Sequence, residues 1–262
     1  MSKTSKMLYA SFLLSAICGV FLGLVRGEVL FTSPYPAFYI SVAVVTVLLA
    51  LSSYFTSVSY ISENKKELTI HTIPEDWSQR YNKRIQVIQL IGAFLLLMAS
   101  VKIIASAGSV LNFISAVFSF ACAVSIFFRI KAKDTTENTA LLSLFPVFYL
   151  CFYLLMFYRN TARFPNLNQF GPQILTLACL VVTAYFNSAS KFTKRPAFLR
   201  YFSSLCAATL AFGDLLAYIF NKATLSITEP TVYLPTIAGF TIYYVVSLLL
   251  PPIRVLRADD GK

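Results

Sequence analysis

The length of its apolar blocks constrains this chain more than any other feature. Met7–Val25, Pro36–Tyr60, Ile85–Ala105, Ser109–Ile130, Thr139–Tyr158, Gln173–Ser190, Leu199–Phe220 and Thr231–Leu250 run almost without charge. A helix needs about 20 mostly apolar residues to cross the hydrocarbon core of a bilayer. Inside hydrocarbon every backbone N–H and C=O must be satisfied by the protein itself, which leaves only helices or a closed barrel. Barrel strands are about 9–11 residues long and alternate in polarity, whereas these blocks are about twice that length and apolar all round. The expected fold is an all-α integral membrane protein of about eight transmembrane helices with short loops. Residues 1–262 form a single polytopic membrane domain on this reading. Composition agrees, with 57% hydrophobic and 13% charged residues, against roughly 25% charged in soluble domains. A soluble globular domain, a disordered chain and a disulfide scaffold are excluded.

Lys and Arg resist translocation and so collect on the cytoplasmic side. With the N-terminus inside, only Arg26, Lys102, Arg159, Arg163 and Lys222 fall outside, and the other 17 of the 22 fall inside. That alternation predicts N-in and C-in, with both termini cytoplasmic, in the cell (inner or plasma) membrane. The net charge of +11 then reads as topology determinants that touch anionic headgroups. Nucleic acid is not an expected partner, because the cations sit at helix ends and no aromatic-interleaved basic patch occurs. The first block is expected to be an uncleaved helix. Its apolar run of about 19 residues exceeds the 7–15 of a signal peptide, and Ile17 stands before Cys18 where a lipoprotein cleavage site needs a small residue.

Most connectors are short, so consecutive helices should be antiparallel neighbours. The longest, residues 61–84, is expected on the cytoplasmic side. Within it Thr72-Ile73-Pro74-Glu75 fits a capping box, which predicts an interfacial helix that starts near Ile73, runs past Trp77 and Tyr81 and feeds the third span. His71, the one histidine, reads as a solvated loop residue without a partner to fix its tautomer. Gly19, Gly23 and Gly27 lie four apart on one face of the first span, a spacing that lets another backbone come close. We expect a packing seam there, within the fold or between subunits. Pro146 and Pro235 are expected to kink the fifth and eighth spans by removing backbone donors. Their places in the two halves hint at a 4 + 4 duplication, although no residue-level repeat accompanies it.

Ionisable groups inside a bilayer are expensive and are functional candidates by default. The one that lies well inside is Asp214, about six residues from the end of its span and so roughly 9 Å deep. An unpaired carboxylate there is costly, and the cations expected near it are Lys102, Arg159 and Arg163. The candidate ligand or ion site is therefore Asp214 with Lys102, Arg159 and Arg163. The alternative is a helix-pinning bond near the interface. The outer rim of Arg26, Glu28, Lys102, Arg159, Arg163, Asp214, Lys222 and Glu229 reads mainly as ordinary rim charge. The connector Arg159–Pro172 is the most polar outer segment and the loop best suited to touch a ligand. Asn187, Ser188 and Ser190, with Gln86 and Gln89, are expected to hydrogen-bond between helices.

No cofactor, metal or catalytic residue is expected. The five cysteines stand alone in separate spans and read as small hydrophobes. No HExxH, GxSxG, Walker A or GxGxxG pattern occurs. Aspartyl chemistry needs a second intramembrane carboxylate, and no other span supplies one. Enzyme chemistry thus has little support, apart from a lipid-handling site without a readable motif. A transporter-like protein handling a small solute or ion near the outer leaflet fits Asp214. A non-catalytic membrane subunit or receptor-like module fits the short loops. It would pair through helix 1 and the basic cytoplasmic loops, with a second copy or another membrane protein as partner.

Overall fold

The computed structural model describes residues 3–27, 34–64, 75–105, 110–131, 141–164, 167–192, 197–220 and 230–248. Each expected span falls on one helix: α1 (Lys3–Arg26), α2 (Pro34–Asn64), α3 (Glu75–Ala105), α4 (Val110–Lys131), α5 (Phe145–Thr161), α6 (Gly171–Phe192), α7 (Ala197–Phe220) and α8 (Pro230–Ser247). Turns of 3₁₀ helix at Leu142–Leu144 and Leu167–Phe170 lead into α5 and α6. Seven helices are long and apolar enough to cross a membrane, while the apolar stretch of the eighth, Thr231–Ser247, is shorter. At 18 residues α8 is about 27 Å long, just under the roughly 30 Å of a typical hydrocarbon core. The chain is a multi-pass membrane protein. Large apolar side chains such as Ile40 (67% exposed) and Val110 (76% exposed) point outward, which lipid tolerates and water does not.

α6, α7 and α8 alternate in direction, and α1 runs the same way as α7. The C-terminal ends of α1 and α7 meet the N-terminal parts of α6 and α8 around Asp214. At the opposite end, α6 and α8 finish beside the start of α7, around Arg200. Leu8, Tyr201 and Leu248 cluster there too, so the start of α1 and the end of α8 share that end of the bundle.

α7 is the hub and packs on α1, α2, α6 and α8, while α8 lies along α3. Two glycine crossings set these contacts. At the first, a Cβ on Gly23 would stand 2.7 Å from Leu216 Cβ, and one on Gly19 would stand 2.9 Å from the Phe212 ring. Gly213 of α7 answers from the other side, against Gly19 O and Gly23 N. The expected seam therefore lies within the fold, between α1 and α7. The N–H of Gly27, the third expected glycine, closes the last turn of α1 by donating to Gly23 O at 2.8 Å. At the second crossing, Gly92 of α3 and Gly239 of α8 face each other, and a Cβ on either would stand 2.7 Å from the other's carbonyl oxygen. Lipid tails are as apolar as leucine, so close backbone packing of this kind drives association where burial cannot. Interhelical hydroxyl bonds reinforce it: Ser15 Oγ to Thr209 Oγ1 at 2.8 Å, and Ser11 Oγ to Ser52 Oγ at 2.7 Å. Between α5 and α8 the core is a column of stacked rings, Tyr153, Tyr149, Phe240 and Tyr244, with centroids 5.8–6.1 Å apart.

Two expectations are corrected. Pro146 lies in the first turn of α5, just after the 3₁₀ turn, where its missing N–H takes no bond from the helix. Pro235 does lie inside α8, where it leaves Thr231 O without its helical donor. The two prolines occupy unlike positions, so the hint of duplication loses its basis. α3 runs as one helix from Glu75, and the expected cap at Thr72–Pro74, with His71, lies outside the described residues.

Candidate functional site

Four helices converge on Asp214, which is 2% exposed. Its Oδ1 accepts from Nη1 of Arg26 at the end of α1. Its Oδ2 accepts from the Tyr233 hydroxyl of α8 and from Thr176 Oγ1 of α6, the latter at 2.9 Å. Thr176 Oγ1 also lies 3.0 Å from Pro172 O, so its single proton has two acceptors in reach. Arg26 is itself buried, at 7% exposure.

The glycine seam builds this junction. Gly23 stands one helical turn before Arg26, and Gly213 immediately precedes Asp214. Because both lack a Cβ, α1 and α7 approach until the guanidinium reaches the carboxylate. The C-terminal end of α1 carries the negative pole of its helix dipole, which also favours a cation there. A buried pair is tolerated when further hydrogen bonds occupy the remaining lone pairs, and Thr176 and Tyr233 do so.

The cation expected for Asp214 was Lys102 or Arg159; the structure gives Arg26 instead. Lys102 and Arg159 lie in the last turns of α3 and α5 and Arg163 just after α5; all three side chains are exposed, and the groups bonded to Asp214 are Arg26, Thr176 and Tyr233. From sequence Arg26 reads as rim charge because it stands at the end of its span. The signal that could have found it was the pairing of Gly23-to-Arg26 with Gly213-Asp214. In the segment after α5, Phe164 and Phe170 pack together at 5.5 Å between ring centroids, and Phe170 is buried. Apolar packing thus anchors part of the connector expected to touch a ligand.

A second polar cluster lies at the other end of α7. Arg200 donates from Nε to Asn187 Oδ1 at 3.0 Å and from Nη2 to Ser247 O at 2.7 Å. Asn187 Nδ2 donates to Thr183 O at 3.0 Å and Ser204 Oγ at 3.4 Å. Ser188 Oγ donates to Ser143 O at 2.5 Å. Asn187 and Ser188 thus form the interhelical bonds expected of them, whereas Ser190 lies outside the described side chains. Nearby, the Arg129 guanidinium sits 5.5 Å over the Tyr243 ring, a cation–π contact.

A cavity of about 380 Å³ opens between α2 and α6, floored by α7. Leu49, Cys179, Val182, Phe202 and Cys206 are among its lining residues. All five cysteines carry free thiols, and no group of three His, Cys, Asp or Glu comes together among the described residues. Compared with protein-family models, curated proteins and solved structures, the chain matches none.

Proposed function

We propose that this multi-pass protein handles a small solute or ion, with the Arg26–Asp214 junction as the closure at one end of its path. The observation that carries the reading is an ion pair buried where α1, α6, α7 and α8 meet. Breaking a buried pair by removing one partner costs about 3–5 kcal/mol. At 1.4 kcal/mol per factor of ten, such a lock stays shut by roughly 100- to 4,000-fold. A proton or cation that takes Arg26's place on the carboxylate strands the guanidinium, so the lock opens at low cost only when an anion meets Arg26 in turn. The Lys and Arg bias favours an orientation with the Arg200 end and both termini in the cytoplasm, and on that orientation the junction faces outward in the cell membrane.

The test is a pH step across sealed proteoliposomes of the full chain, with pyranine inside and Na⁺ or K⁺ outside. Wild type should dissipate the step faster than protein-free vesicles, and monodisperse Asp214→Asn should not. Equal rates for wild type and Asp214→Asn would sink the reading. The second reading, a non-catalytic membrane subunit, draws on α2. It exposes Ile40, Val44, Val47, Leu51 and Phe55 along one stripe, a face that a partner helix could cover. Pairing through the α1 glycines is not part of it, because α7 already covers that seam.

A further inference from the structure

The hydroxyl that Tyr233 gives to Asp214 is the first of a series. Along α8, Tyr233, Thr236, Phe240 and Tyr244 follow one another at spacings of three and four residues, which puts them on one face. Tyr233 and Tyr244 stand 11 residues apart, about 16 Å along the helix. The face thus leads from the junction towards the Arg200 end.

The groups further along it lack partners. The hydroxyls of Tyr149 in α5, Ser119 in α4 and Tyr244 make no hydrogen bond among the described residues. None of these three residues is more than 2% exposed. Ser119 and Thr236 stand beside the Tyr149 hydroxyl without bonding to it. Cys122, one turn along α4 from Ser119, neighbours both Tyr149 and Tyr244. Tyr149 stacks on Phe240 and Phe240 on Tyr244, with centroids 5.8 and 6.1 Å apart. A ring fixed in a stack cannot swing its oxygen to a distant partner.

We propose that these hydroxyls bind water between α4, α5 and α8, and that the resulting file passes protons between Asp214 and the Arg200 end. The water site stands on the unpartnered hydroxyls alone; its use as a proton route rests on the transport reading. Native interiors leave few buried polar atoms unpaired, and internal water bonded to two to four such groups is the usual way they are met. A metal cation would find no carboxylate here, since Asp214 is the one acid among the described side chains and already holds Arg26. The occupant must both donate and accept, because Ser and Tyr hydroxyls do both. Water meets these conditions. At the far end the Arg129 guanidinium is held 5.5 Å over the Tyr243 ring, one residue round α8 from the file. Each oxygen of the file takes a proton on one side and releases its own on the other, so a proton crosses while the heavy atoms stay in place.

Hydroxyl-radical labelling by X-ray pulses, read by mass spectrometry on the full chain in detergent, detects water bound beside buried rings. Tyr149 and Tyr244 should be labelled at least fivefold faster than Phe38, which is 3% exposed in the core of α1, α2 and α7. Tyr149→Phe and Tyr244→Phe each keep the ring stack and remove one oxygen. In the pyranine vesicles, monodisperse samples of either should dissipate the pH step at least fivefold more slowly than wild type. Labelling of Tyr149 and Tyr244 no faster than that of Phe38 would overturn the proposal. So would wild-type decay in both Phe variants while Asp214→Asn stays slow, an outcome that removes the route and leaves the transport reading in place. Decay in wild type no faster than in protein-free vesicles would remove the transport reading and the route together, and the labelling rates would still decide the water site.

Discussion

The two ends of α7 solve the problem of a polar group in a bilayer in different ways. Asp214 and Arg200 stand 14 residues apart, about 21 Å along one helix. At the Asp214 end, opposite charges meet with both almost wholly buried, and hydroxyls from two more helices complete the carboxylate's shell. At the Arg200 end, a half-buried cation is held by an amide oxygen and a backbone carbonyl. The first arrangement depends on a close backbone approach that brings one charge to the other. The second depends on a side chain long enough to reach neutral acceptors at a helix end. A closed pair therefore fails when geometry fails, whereas the open cluster fails gradually as single bonds are lost.

This contrast orders a series of measurements. Gly23→Leu attacks the crossing itself, because a side chain there meets Leu216 Cβ. Overpacking by about 1–3 kcal/mol adds to the loss of the pair, so a total on the order of 4–8 kcal/mol is expected. Thermal unfolding in detergent, read by a thiol dye reaching the buried Cys18 and Cys206, checks it. A melting curve like wild type would mean that the crossing does not govern the junction.

Next come Arg26→Met and Asp214→Asn, each expected to lose about 3–5 kcal/mol because one partner is stranded. The double variant should lose less than the sum of the two. A double-mutant cycle with coupling under about 0.5 kcal/mol, within the range expected of independent sites, would show that the pair contributes nothing as a pair. At the other end, Asn187→Ala should lose about 1.5–3 kcal/mol, the range for hydrogen bonds to a charged group, measured as the midpoint shift in the same unfolding assay. A loss as large as that of Asp214→Asn would erase the contrast between the ends. Ser15→Ala removes one interhelical hydroxyl at the α1–α7 crossing. It should shift stability least, by about 0.6 kcal/mol.

The positions of the helices were legible because a membrane span must have a given length and apolarity, and both are written in consecutive residues. Which helices touch was not. In lipid, packing is driven by small residues at the crossing, and one glycine per helix leaves no spacing to read. Gly92 and Gly239 are the example: neither lies in a repeat, yet they face each other at 2.7 Å from Cβ position to carbonyl. The α1 glycines were readable as a seam, because four-residue spacing marks a face, but the helix they meet was not. Asp214 stood out from its depth alone. Its partner did not, since Arg26 is remote in sequence and ends its own span. Pro146 misled for another reason: a 3₁₀ turn at Leu142–Leu144 moves the start of the α-helix next to it, and local sequence does not announce that shift.

The distance in sequence between Arg26 and Asp214 also sets a timetable. The two are separated by 188 positions, and at about 5–20 residues per second of synthesis the carboxylate emerges roughly 10–40 s after its cation. During that interval α1 has its glycine face uncovered and its guanidinium at the membrane edge. Nascent chains halted before α7 should therefore be short-lived, and release past Phe220 should rescue them. A pulse–chase comparison of chains truncated on either side of α7 would record that window as a difference in half-life.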